Sequence, residues 1–136
     1  MRDVRRRDER LQQGDLAGAV SDAKALADAE EEARARVARV CAALTAATDE
    51  RDRRLAQGSA STILAQVDLY LRRLRRDLEA ARGELLRAEA RHRGQLEAVD
   101  AARGRLSLAR ADREIIERHF ATWRAERRKL AERRDD

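Results

Sequence analysis

Proline is absent from this chain of 136 residues, and cysteine, methionine, tryptophan, tyrosine and phenylalanine occur once each. Without proline, no position forces a helix to break. A lone cysteine, Cys41, cannot form an internal disulfide, which excludes a disulfide-stapled scaffold. No stretch approaches the roughly eighteen uncharged apolar residues of a membrane span, so direct membrane insertion is not expected. Met1 is followed by RDVRRRDER, which lacks the apolar core of a secretory signal. Together these absences predict a cytoplasmic protein. Bulky side chains are scarce as well: the chain is 43% hydrophobic, but 28 of those residues are alanine. A thick globular core is therefore not expected, because too little apolar area is available to offset the entropy lost on ordering the chain.

What is present is charge and helix formers. Charged residues make up 42% of the chain, and Ala, Arg, Leu and Glu dominate the composition. That is the composition of long helices and coiled coils rather than of a disordered tail. The formal charge of +5 arises from 31 cations and 26 carboxylates that are interleaved along the chain. Mixed signs suit solvated helix faces better than a polyphosphate groove. The short basic clusters Arg5-Arg6-Arg7 and Arg72-Arg73 with Arg75-Arg76 are interrupted or flanked by Asp3, Asp8, Glu9, Asp68 and Asp77, and there is no asparagine to read adenine. Nucleic acid is therefore not an expected partner.

Periodicity carries the fold. From Leu64, alternating steps of three and four visit Val67, Leu71, Leu74, Leu78, Ala81, Leu85, Ala88, His92 and Gln95. They continue through Val99, Ala102, Leu106, Ala109, Arg113, Ile116, Phe120, Trp123, Arg127 and Leu130. A stripe repeating every 3.5 residues must be buried against another helix. His92 and Gln95, at successive seam positions, read as a polar layer that fixes register. Gly83, Gly94 and Gly104 fall off this seam, on the solvent side. A second seam runs through Leu16, Ala19, Ala23, Leu26, Glu30, Ala33, Val37, Val40, Leu44 and Ala47, then Arg51 and Arg54, with Leu55 expected to take over the buried edge. Val4 and Leu11 fit only a shifted register, which predicts a stutter near Gly14.

The one cluster of breakers, Gly58-Ser59-Ala60-Ser61-Thr62, lies between the seams. Gly58 can end a helix in the left-handed conformation, and Ser59 or Ser61 can cap the next. The predicted fold is all-α: one antiparallel coiled-coil hairpin over 1–136, with helix 1 at about 2–56, a turn near 57–61 and helix 2 at about 60–134. At about 1.5 Å per residue the helices measure about 80 and about 110 Å. Folding about Gly58 would exhaust helix 1 opposite roughly residue 114, leaving Ile116, Phe120, Trp123 and Leu130 without a partner. An unpaired apolar stripe of this kind reads as an interaction surface. The alternative is one straight helix that associates with a second chain.

Catalytic chemistry is not expected. His92, His119 and Cys41 have no metal-ligand spacing, Glu30-Glu31-Glu32 reads as a solvated helix face, and there is no phosphate loop. A two-helix coil also lacks the concavity in which reacting groups converge. The expectation is a non-enzyme with no cofactor and no metal.

Three segments carry a likeness to a known family: Val4-Arg5-Arg6-Arg7-Asp8-Glu9-Arg10 ahead of an alanine-rich helix; Tyr70-Leu71-Arg72-Arg73-Leu74 just after the turn; and the charged ending from Trp123-Arg124-Ala125-Glu126-Arg127-Arg128 to Glu132-Arg133-Arg134-Asp135-Asp136. In these, and in its helix asymmetry, the chain resembles the FliJ/YscO (SctO) family, central-stalk proteins of flagellar and injectisome type III secretion. Flagellar members usually open with a phenylalanine-bearing segment and close on a glutamine-lysine-rich stretch. Neither is present here, which favours the injectisome branch. The resemblance implies a two-helix stalk that inserts into the hexameric export ATPase, promotes its assembly or activity and links it to the export gate, a membrane protein, through that protein's cytoplasmic domain. It implies a position at the cytoplasmic face of the apparatus, secretion chaperones as further candidate partners, and a monomer in isolation. On this reading Ile116, Phe120, Trp123, Arg124, Arg127, Arg128 and Leu130 would meet the ATPase, and Ile63, Leu69 and Tyr70 the gate. The rival reading is an autonomous dimeric coiled-coil scaffold unrelated to secretion.

Overall fold

The computed structural model describes residues 1–135. It consists of two helices, α1 (Arg2–Ala56) and α2 (Ser61–Asp135), joined by a short reversal. Both are built almost wholly from strong helix formers, and each ends on arginines, Arg53 and Arg54 in α1 and Arg133 and Arg134 in α2. Cations there complement the negative end of the helix dipole.

The reversal follows from one glycine. Gly58 has φ +72°, the left-handed conformation that costs other residues a steric clash. Its N–H donates to Leu55 C=O (3.2 Å) and Ser59 N–H donates to Arg54 C=O (3.1 Å), the paired bonds of a Schellman motif. The start of α2 differs from expectation. Ala60 C=O accepts the first turn's N–H groups, from Ile63 and Leu64 (both 3.1 Å), and neither the Ser59 nor the Ser61 hydroxyl caps the helix.

The chain divides into two compact units: unit 2, Lys24–Gly94, holds the reversal, and unit 1 joins Met1–Ala23 to Gln95–Asp136. In each, a stretch of α1 runs antiparallel to a stretch of α2. Every buried apolar residue among the described residues lies on one of the two heptad seams: Ala23, Ala47, Leu71, Leu74, Leu78, Ala81, Ala88, Val99, Ala102 and Leu106. Unit 2 packs Leu71 and Leu74 against Ala47, with Ala43, Leu44 and Val67 around them. Arg51 Nε donates to Asp68 (2.6 Å) and Arg36 to Glu84 (2.7 Å), which marks the register of the pair. His92 Nδ1 lies 2.6 Å from Glu30 Oε2, and Arg34 donates to the same carboxylate (2.9 Å). These two bonds, that to His92 first, hold the Glu30 carboxyl below its ordinary range. In unit 1 the other half of the predicted polar layer, Gln95, donates to Ala19 C=O (3.1 Å).

Two expectations fail for one physical reason. Leu55 is 47% exposed, whereas Arg51 and Arg54 are half-buried and occupy the seam edge. There is no stutter at Gly14 that buries Val4 and Leu11; both are exposed. The α1 seam continues straight through Gln12, Glu9, Arg5 and Arg2, all half-buried. A long polar side chain can lay its stem along the seam and pair its charged head outside, so heptad register outlasts apolar composition.

Candidate functional site

Unit 1 carries the C-terminal stripe of α2, and its pairing sets where that stripe becomes free. Arg5 donates to Asp112 (3.3 Å), Arg6 donates twice to Glu117 (both 3.2 Å), and Glu9 takes Arg110 (3.4 Å) and Arg113. Arg113 also reaches Glu117 (3.1 Å). The Arg6 hydrogen bonds, with the neighbouring charge of Arg113, hold the Glu117 carboxyl below its ordinary range. Gln12 Oε1 is buried in the same region with no partner among the described residues.

This network moves the end of pairing outward from the expected residue 114. α2 begins only at Ser61, so the hairpin folds beyond Gly58, and Arg2, the first residue of α1, reaches Phe120. Ile116 is therefore half-buried inside the paired region and does not belong to the free stripe. Phe120 and Trp123, at 36% and 44% exposure, do belong to it. Their rings stack, with centroids 5.6 Å apart and planes 24° from parallel. The Arg124 guanidinium lies 4.7 Å from the Phe120 centroid, that of Arg2 5.4 Å from the same ring, and that of Arg127 5.1 Å from the Trp123 centroid. Each such contact at an exposed site contributes about 0.5–1 kcal/mol. These contacts favour the stacked arrangement of the stripe over splayed side chains. Arg128 is exposed outside the stack, and exposed Leu130 borders a shallow depression with Arg127, Ala131, Arg134 and Asp135. Across 121–135 six cations stand against three carboxylates, so the stripe is apolar at its centre and basic at its rim.

Arg2 is the neighbour of the stripe that the sequence pattern missed. It is a polar residue at the edge of the chain's first turn, and only the antiparallel register brings it to the ring.

The second candidate patch lies near the reversal in unit 2. Ile63, Leu69 and Tyr70 are all exposed, as their off-seam positions require, and Leu55 adds a fourth apolar side chain near the turn. Among the described residues no group of three or more His, Cys, Asp or Glu side chains could hold a metal ion, and no helix is long and apolar enough to cross a membrane. Cys41 is half-buried. No known family, curated sequence or solved structure matches the chain.

Proposed function

We propose that the chain is a non-enzymatic central-stalk adaptor of a type III secretion or flagellar export apparatus, entering the hexameric export ATPase by the Phe120–Trp123 end and meeting the export gate by the patch at Ile63, Leu69 and Tyr70. The observation that supports it most is the aromatic stack beyond the first residue of α1, bracketed by Arg2, Arg124 and Arg127. A stalk needs an end that presents fixed, specific side chains to a surrounding ring, and stacked aromatics with arginine are the residue types that anchor protein interfaces. Two helices of about 10 Å each also keep the paired region slender enough for a ring's central channel. The resemblance in the Val4–Arg10, Tyr70–Leu74 and C-terminal segments points the same way.

The test is stimulation of the purified export ATPase of the same organism. The wild-type chain raises its turnover and its hexamer fraction, and a Phe120→Ala/Trp123→Ala double substitution removes most of both effects while circular dichroism stays helical. Full stimulation by the double variant would overturn the assignment of this end. A wild-type chain without effect would favour a scaffold outside secretion.

A further inference from the structure

In unit 1, the face of α2 opposite the seam has a pattern of its own. Alternating steps of three and four visit Ala101, Gly104, Leu108, Ala111, Ile115 and Arg118. At 100° per residue these positions fall on the side of the helix turned away from α1. Leu108 is 70% and Ile115 62% exposed, the most exposed large apolar side chains of the unit after Met1. Nothing in the chain's own fold explains Gly104: its φ is not positive, and a Cβ built there would meet no atom within 4 Å. Gly14, Gly18 and Gly94 are equally open, so Gly104 permits close approach by another backbone without demanding it. What distinguishes Gly104 is its place between Ala101 and the exposed face of Leu108 and Ile115.

We propose that this face is a homodimer interface, covered by the same face of a second copy running antiparallel, with Ile115 of each chain seated over Gly104 of the other and Leu108 over Ala111. Size and charge select this arrangement together. Setting Leu108 against Ala111 of the second copy also sets Ile115 against Gly104 and lays the Arg118 stem over Ala101, so large side chains meet small ones at successive layers. At the rim the same register brings Arg105 beside Asp112 of the second copy and Ser107 beside Glu114, each pair twice by the two-fold axis. Arg105 is exposed and has no ion pair within its chain among the described residues; Asp112 is exposed and engages Arg5 through Oδ2 alone.

The alternatives are worse on the same criteria. A slip of one heptad in one direction sets Arg105 against Arg105, and in the other it sets Arg105 against His119 and Leu108 against Arg118. A parallel, in-register pair would stack Gly104 on Gly104, leaving a gap, and Arg118 on Arg118. The proposal is independent of the secretion reading, since it leaves Phe120 and Trp123 free. The single chain expected of a stalk would then hold at low concentration and the dimer at high.

Sedimentation equilibrium from about 10 µM to about 1 mM is the first test, a range suited to a small interface. The expected mass rises from 15.5 kDa towards twice that value. Ile115→Glu returns it to 15.5 kDa across the range with unchanged helicity. Gly104→Leu also abolishes association, yet raises the melting temperature of the monomer; loss of the dimer cannot then be a folding defect. In a Cys41→Ala background, chains carrying Leu108→Cys mixed with chains carrying Ala111→Cys form a mixed disulfide faster than either forms one with itself. A monomer throughout, self-linking of the Leu108→Cys chain as fast as mixed linking, or an association that ignores Ile115→Glu and disappears with Trp123→Ala would each overturn the proposal. ATPase stimulation is read separately, so failure here and failure of the stalk reading are distinguishable.

Discussion

The two units use one heptad grammar with different words. In unit 2 leucine, valine and alanine fill most of the seam, interrupted by the Glu30–His92 contact and by Arg51 and Arg54 at its edge, and its well-buried contacts are Leu71 and Leu74 on Ala47. In unit 1 buried apolar packing is confined to Val99, Ala102, Leu106 and Ala23. Towards Met1 it gives way to a lattice of Arg5, Arg6, Glu9, Arg110, Arg113 and Glu117. Burial of apolar area is not screened by salt, whereas partly exposed ion pairs are, and each contributes little. The difference teaches where the molecule can afford to open: local stability should be high near the reversal and low beside the aromatic stripe.

The largest break in this comparison comes from truncating the apolar seam. Leu74→Ala is expected to cost about 2–4 kcal/mol, since the buried leucine loses both transfer energy and packing partners. The measurement is denaturant unfolding followed by circular dichroism. Hydrogen exchange should place the loss in residues 24–94 first. A loss below about 0.5 kcal/mol would mean that the seam of unit 2 does not carry its stability.

Next in size is Glu9→Gln, in unit 1. Glu9 pairs with both Arg110 and Arg113, and its side chain is 12% exposed, so replacing it should cost about 1 kcal/mol. Raising salt should reduce that cost and should speed amide exchange in 1–23 and 95–135 more than in 24–94. Equal acceleration in both units would remove the distinction drawn between them.

Smaller and opposite in sign is Gly94→Ala, in unit 2. A Cβ there meets nothing within 4 Å and the glycine φ is not positive, so the substitution should stabilise by about 0.5–1 kcal/mol. A destabilisation would reveal a close approach at Gly94 that the isolated chain does not contain.

How much of this was legible in the sequence depends on which side chains build the seam. The register from Leu64 to Leu106 and that from Leu16 to Ala47 were readable because leucine and alanine at 3.5-residue spacing have one physical outcome. The seam through Arg2, Arg5, Glu9 and Gln12 was not, since hydropathy counts an arginine as solvent-facing although its stem can lie along a partner helix. The same blindness misplaced Leu55, whereas the end of pairing lies near 120 instead of 114 because the chain reverses beyond Gly58 and α2 begins only at Ser61. Of the candidate site, Phe120, Trp123, Arg124 and Arg127 were named from the pattern. Arg2 and the exposed Leu108–Ile115 face were not, because the first needs the true register and the second lies off the 3.5-residue seam.

The finest distinction between the units is their response to acid. In unit 2 the Glu30 carboxyl is held below its ordinary range chiefly by His92 and secondarily by Arg34, while in unit 1 that of Glu117 is held down by Arg6 and then Arg113. A carboxyl with a depressed folded pKa contributes stability that is fully present above its unfolded value, near 4.5, and is lost as pH falls through the folded one. Both units should therefore weaken on acidification below about pH 4.5. Glu30→Gln and Glu117→Gln should each flatten that acid limb in a pH series of melting temperatures. Salt separates them: screening should erase more of the Glu117 contribution, whose side chain is 31% exposed against Arg6 at 45%, than of that of Glu30, whose side chain is 16% exposed against His92 at 23%. If high salt flattened both limbs equally, the half-buried His92–Glu30 contact would be no better shielded than a surface ion pair, and the polar layer could not be what fixes the register of unit 2.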